Sequence, residues 1–316
     1  MNTDRKKINV SSLRELLLVG VVLLLCVVWT IMNPQFMSVN NITNILRQAS
    51  YTAIAAVGMT MVIVIGEIDL SAGSVVCASG LAGAMVCKNT GNVILAVLAA
   101  LAVGFGVGFV NGALCAYGKL PGFIATLASM TVLRGLAYII TGGNSVVWSN
   151  EAFTKIGTGY IGIVPIPVII MVVVIIFGYI LTSKLKFGRY IYAVGGNSDA
   201  SRYSGIAVEK VKIIVYMIMG TLTAIAGLII TARLGSGQPS AGQNFEMDCI
   251  TAAVVGGTSM SGGRGKVFGT IVGVLLLTVL TNGMTLVGIN TYWQQVLKGI
   301  IIVVSVLADT KSKKSK

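Results

Sequence analysis

Apolar runs long enough to cross a bilayer recur along almost all of the 316 residues, and a chain so built has few folds open to it. A crossing helix needs about 20 apolar residues to span about 30 Å of hydrocarbon. Inside that layer every backbone N–H and C=O must be satisfied within the protein, which leaves helices or a closed barrel. The runs here are near-continuous rather than alternating, so they predict an all-α, polytopic transmembrane helical bundle. Ten spans are expected: 16–32, 52–66, 71–87, 93–117, 122–141, 163–183, 213–233, 247–261, 267–285 and 292–308. The second, third and eighth are short and rich in Gly and Ser, the pattern of tilted, broken or partly re-entrant helices.

Composition narrows the class. Charged residues make up 10% of the chain against about 25% in a soluble domain, while hydrophobic residues make up 55%. The net charge is +13. The basic residues sit at the ends of apolar runs instead of on one amphipathic face, so they speak for membrane topology and against nucleic-acid binding. Histidine is absent, which removes His-ligated metal sites, His-based triads and histidine proton relays. Cys26, Cys77, Cys87, Cys115 and Cys249 all fall in apolar stretches without CxxC spacing and read as small hydrophobes. The run Leu16–Met32 is longer than a signal-peptide core and no A-x-A-like site follows it, so it is expected to be a retained first span.

Charge parity supports the count. Ten crossings return both ends to one side, and both ends are basic (Arg5, Lys6, Lys7 and Arg14; Lys311, Lys313, Lys314 and Lys316). With Lys119, the six basic residues of the 184–212 loop, Arg264 and Lys266, seventeen Lys and Arg lie on that side and four on the other. The positive-inside bias then makes both termini cytoplasmic. The expected organisation is a cytoplasmic segment at 1–15, a transmembrane domain at 16–308, and a cytoplasmic basic tail at 309–316.

Three features could carry chemistry. Within the 184–212 loop, Asn197 or Ser198 is a candidate N-cap and Gly205 a candidate stop, which predicts a short helix over Ser198–Ser204 able to dock a cytoplasmic partner. Gly262-Gly263-Arg264-Gly265-Lys266 resembles a phosphate loop only at a glance: Met260 and Val267 stand where the P-loop needs Gly and Ser/Thr. It reads as a tight basic turn. Among ionisable residues at membrane depth (Glu67, Asp69, Arg134, Glu246, Asp248 and Lys298), Arg134 and Lys298 lie deepest and need partners. Glu67 and Asp69 could form an ion-coupled site; alternatively Asp69 caps the third span, with Ser71 and Gly73 as a helix start. No G-x-S-x-G or H-E-x-x-H is present, so an intramembrane enzyme is not expected. Gly104, Gly108 and Gly112 repeat every four residues, a spacing that lets helices approach closely.

Four blocks carry a family likeness. Gly66-Glu67-Ile68-Asp69-Leu70-Ser71-Ala72-Gly73, Pro121–Leu127 continuing to Leu133-Arg134-Gly135, Gly188–Asn197 with Arg202 and Ser204-Gly205-Ile206, and Ala252–Ser259 followed by Gly262-Gly263 occur in order. Together they resemble bacterial monosaccharide ABC-importer permeases over nearly the whole chain. Gly188–Tyr216 is most similar to ribose-type members and Tyr292–Gly299 to galactose-type ones. The resemblance implies an inner-membrane permease with no catalytic, cofactor or metal site of its own. It implies as partners a cytoplasmic ATPase with two nucleotide-binding domains, an extracytoplasmic sugar-binding protein, a second permease copy and membrane lipid. The implied cargo is ribose first, with galactose, another simple sugar or autoinducer-2 as alternatives. The implied coupling residues are Gly195, Gly196, Asn197, Ala200, Arg202 and Gly205; Glu67, Asp69 and Ser71 are assigned to the path or to a helix cap. The rival of another class is an ion-coupled secondary transporter.

Overall fold

The computed structural model describes residues 10–314; Arg5, Lys6, Lys7 and Lys316 of the basic ends lie outside the described residues. Thirteen α-helices run in order among those residues. They are α1 (Val10–Met32), α2 (Val39–Val64), α3 (Ala72–Thr90), α4 (Val93–Ala116), α5 (Gly122–Thr141), α6 (Glu151–Thr158), α7 (Ile166–Ser183), α8 (Lys186–Gly196), α9 (Ser198–Tyr203), α10 (Val208–Leu234), α11 (Phe245–Val255), α12 (Val267–Leu286) and α13 (Thr291–Lys314). A two-residue hairpin, β1 (Tyr160–Ile161) with β2 (Val164–Pro165), follows α6. Five helices, α4, α5, α7, α10 and α12, are long and apolar enough to span a bilayer by length and composition. The other five expected spans fall on α1, α2, α3, α11 and α13. The chain is a multi-pass membrane protein.

Three boundaries differ from expectation. α2 starts at Val39 instead of 52, because the polar stretch Asn40–Ser50 is capped by Ser38 and continues the helix. Residues 186–196 form a helix of their own, α8, where an irregular loop was expected. The eighth span ends at Val255 instead of 261, since Gly257 at φ +99° turns the chain out of the helix.

The core is a crossed pair. α2 and α10 are largely buried and pack on each other, whereas α4, α5 and α7 present exposed Ile, Leu, Val and Phe as a lipid-facing surface must. The glycine stripe makes the tightest seam: methyl groups at Gly104, Gly108 or Gly112 would strike the α10 backbone at Gly220, Tyr216–Met217 or Ile213. Two halves of the bundle repeat one plan. α2 packs on α11 and α12 as α10 packs on α3 and α4, while α3 and α11 each contact the two helices that follow them. α2 and α10 run in opposite directions, so the two halves form an inverted-topology repeat, as in many transporters.

One face of the bundle gathers the end of α2 with Glu67, the starts of α5 and α10, all of α8 and α9, and the α11–α12 turn. It carries the basic loops and is termed the basic face. The opposite face is closed by Asn41 and Asn282, whose carboxamides bond each other both ways at 2.9 and 3.0 Å. There, too, Arg47 donates to the Thr158 carbonyl at 2.9 Å and stacks over Tyr160.

Candidate functional site

The two halves break at matched places. α2 gives way to an unwound segment, 65–71, before α3; α10 gives way to a longer one, 235–244, before α11. At 11 residues α11 is about 16 Å long, half the hydrocarbon thickness. The segment ahead of it begins at the opposite face, where Gly237 pairs with Val146, and descends until Gly242 lies against Gly73 in the first turn of α3. Irregular backbone at that depth needs partners from the protein. Arg134 of α5 supplies them by donating to the carbonyls of Pro239 (2.8 Å) and Ala241 (2.7 Å). The other deep cation, Lys298 of α13, pairs with Asp248 in the first turn of α11 at 2.6 Å. Each exposed flanking helix therefore steadies one side of α11's start.

The 65–71 segment is clamped from three helices. Glu67 pairs with Lys212 of α10 at 2.5 Å, and its other oxygen accepts from the Gly122 N–H of α5 at 2.8 Å. Leu70 N–H donates to Thr126 Oγ1 at 2.9 Å. Asp69 is buried and accepts from the Ser71 N–H (2.8 Å) and Ser71 Oγ (2.6 Å), while Asn111 donates to Ser71 Oγ at 3.0 Å and accepts from Ser129. Asp69 thus fixes the Ser71 side chain and amide, and Ser71, at the N-cap of α3, makes no side-chain bond to the helix amides.

Next to this clamp Gly66, Gly195, Gly262 and Gly263 interlock backbone to backbone with one another and with Val64. Gly263 N–H donates to the Val64 carbonyl at 2.8 Å. Gly195 packs so closely that an added methyl group would overlap that same carbonyl, and a methyl at Gly262 would lie 2.7 Å from the Gly195 carbonyl and 3.1 Å from Gly66. Tyr192 of α8 adds a bond to the Gly265 carbonyl at 2.8 Å, and burial raises its phenol pKa. The end of α8 is therefore in contact with both broken spans, α2–α3 and α11–α12.

α9 hangs outside this junction. Asn197 caps it, its side chain accepting from the Ala200 N–H at 2.9 Å, and Gly205 at φ +82° ends it. Asn197, Ala200, Arg202, Tyr203 and Gly205 are all exposed, Tyr203 at 91%. Arg202 forms an ion pair with Glu209 that ties α9 to the start of α10. The expected residues split into two groups: Gly195 sits inside the interlock, while Gly196, Asn197, Ala200, Arg202 and Gly205 lie on the outer surface. Sequence reasoning missed Lys212, Gly122 and Tyr192. Their signals were present, as a lysine at the start of a span and a glycine and tyrosine inside the family blocks.

A family model for the permease component of branched-chain amino acid transport systems matches residues 41–306. The chain belongs to this permease family. The permease is 44% identical to the ribose import permease protein of Haemophilus influenzae over 92% of its own length and 91% of the relative's. It is 42% identical to the ribose import permease protein of Bacillus subtilis over 98% of both chains. The xylose transport system permease protein of Haemophilus influenzae is 36% identical, again over 98% of both. No solved structure matches the permease. All three relatives are named as sugar permeases.

Proposed function

We propose that the chain is the membrane subunit of an ATP-driven, binding-protein-dependent importer of a simple sugar, with ribose as cargo. The observation that carries this reading is the likeness to ribose import permeases over more than nine-tenths of both chains. The weaker likeness to xylose permeases makes xylose the second choice of sugar. ATP hydrolysis belongs to a cytoplasmic partner with two nucleotide-binding domains; a sugar-binding protein delivers cargo from outside, and a second permease copy completes the channel. The basic face is then cytoplasmic, with the 1–15 segment and the 309–316 tail beside it and residues 16–308 as the membrane domain.

The geometry of α8 and α9 supports a route for the coupling. α9 offers the ATPase an exposed, capped surface, Asn197 to Gly205, and α8 joins it rigidly to the glycine interlock. A push on α9 reaches the starts of α3 and α12 through Gly195, because close-packed backbone transmits displacement instead of absorbing it. Glu67, Asp69 and Ser71 act in this reading as the clamp on the unwound segment. The ion-coupled alternative is disfavoured by the same residues: Glu67 is spent on Lys212, and Asp69 is buried against Ser71.

The test is Arg202→Glu in the reconstituted complex, with Glu209→Gln as companion. The first reverses charge on the docking surface and breaks the ion pair; the second breaks only the pair. Loss of uptake in Arg202→Glu alone supports docking through α9. Equal loss in both would reduce Arg202 to a staple between α9 and α10.

A further inference from the structure

A groove on the lipid-facing side of the bundle ends beside a cluster of cations that have no carboxylate partner. α4 packs along α10 and α7 packs along α2, which leaves a gap between α7 and the α4–α10 seam. The gap is a groove of about 200 Å³ with an almost wholly apolar wall, built by Phe105, Phe177, Ile214, Met217, Ile218 and Leu222. We propose that it binds one anionic phospholipid of the leaflet on the basic-face side, with an acyl chain in the groove and the phosphate on Lys184 and Lys210. The inference is independent of the cargo.

Depth places the groove in that leaflet. At about 1.5 Å per helical residue, Ile214 and Phe177 stand about 9 Å from the basic-face ends of α10 and α7. Phe105 and Leu222 stand about 16–21 Å from the basic-face ends of α4 and α10, near the middle of a layer about 30 Å thick. Tyr117, Tyr179 and Tyr190 are exposed nearer the basic face, as aromatic side chains are at headgroup level.

Helical register carries the groove down to the cations. Lys210 lies one turn before Ile214, and Met217, Ile218 and Thr221 continue the same stripe of α10. Lys184 lies two turns beyond Phe177 at the end of α7, its ammonium 5.9 Å from the Tyr179 ring centre. Lys186 and Arg189 follow on the exposed side of α8. Among the described residues none of these four pairs with a carboxylate. Of the acids on this face, Glu67 is held by Lys212 and Glu209 by Arg202, and Asp199 sits in the first turn of α9 without bonding to any of the four. A zwitterionic headgroup brings this cluster no net charge, whereas an anionic one neutralises part of it. The lipid would also tie α7 to α10, the two helices between which α8 and α9 hang, and so brace the arm that ends in the glycine interlock.

The experiment uses the full permease in detergent micelles, with phosphatidylglycerol and phosphatidylcholine of identical acyl chains as probes. Phosphatidylglycerol should raise the melting midpoint by several degrees more than phosphatidylcholine, and native mass spectrometry should find it as a one-to-one adduct. Lys184→Gln with Lys210→Gln should cut its affinity about thirtyfold, the worth of two basic residues beside an anionic lipid surface, and leave the melting of lipid-free permease unchanged. Lys184→Arg with Lys210→Arg should keep the preference. Thr221→Phe, which fills the groove, should weaken both lipids. Equal stabilisation by the two lipids, or a phosphatidylglycerol preference that survives the double glutamine substitution, would overturn the proposal. Loss of the preference in the arginine variant as well would assign the lysines to packing and overturn it too. If inorganic phosphate alone reproduces the effect of phosphatidylglycerol, the cluster is an anion patch without the groove, and the proposal fails.

Discussion

Two adjacent glycines at the end of α8 should respond oppositely to the same substitution. In Gly195→Ala the new methyl group would overlap the Val64 carbonyl oxygen and lie 2.7 Å from the Gly263 nitrogen. Something must shift, and both neighbours are backbone. Forcing one methyl into a packed interior costs about 1–3 kcal/mol. Displacing Gly263 N–H from the Val64 carbonyl costs about another 1–3 kcal/mol for a buried pair. Alanine regains about 1 kcal/mol of helix propensity, which leaves a net loss of about 1–5 kcal/mol, a large share of the 5–15 kcal/mol typical of a folded protein. Gly196→Ala meets nothing within 4 Å and keeps only the helix gain of about 0.5–1 kcal/mol. Apparent melting of the purified permease in detergent reads both. Gly195→Ala should melt several degrees below wild type and Gly196→Ala at or above it. Equal behaviour of the two variants would refute the interlock.

The clamp and the re-entrant segment give two more tests. Glu67→Gln retains an acceptor for Gly122 N–H but leaves Lys212 without its counter-charge, both side chains being at least 79% buried; it should destabilise by about 2 kcal/mol, and Lys212→Met in the same chain should restore part of the loss. Thermal inactivation of the single and double variants checks this, and a double variant worse than the single would contradict it. Arg134→Met should strip the Pro239 and Ala241 carbonyls of their donor at a cost of about 2–6 kcal/mol. Limited proteolysis should then cut near 235–244, whereas Arg134→Lys, with one donor group in place of a fork, should fall between the variant and wild type.

How much was legible in the sequence depended on how local the cause was. Hydropathy and the Gly104–Gly112 spacing sufficed for the helical bundle and its tightest seam, since both are properties of single helices. Asn197 and Gly205 delimited α9 correctly because a cap and a left-handed stop act within a few residues. α8 was missed: its glycines at 188, 195 and 196 read as loop, and only the close approach of Gly188 to the Thr182 carbonyl and of Gly195 to the Val64 carbonyl explains the first two. The eighth span was drawn too long because apolar residues continue to Met260 past a turn set by Gly257. The partners of Arg134, Lys298 and Glu67 lie 50 or more positions away in the chain, and no periodicity announces them.

Energy source separates the account from its rival most directly. The permease, reconstituted in proteoliposomes with its ATPase and binding protein, should take up labelled ribose only when ATP is present on the side of the basic face. Collapsing sodium and proton gradients should leave that uptake unchanged. Uptake that follows an ion gradient with no ATPase present would contradict the importer account.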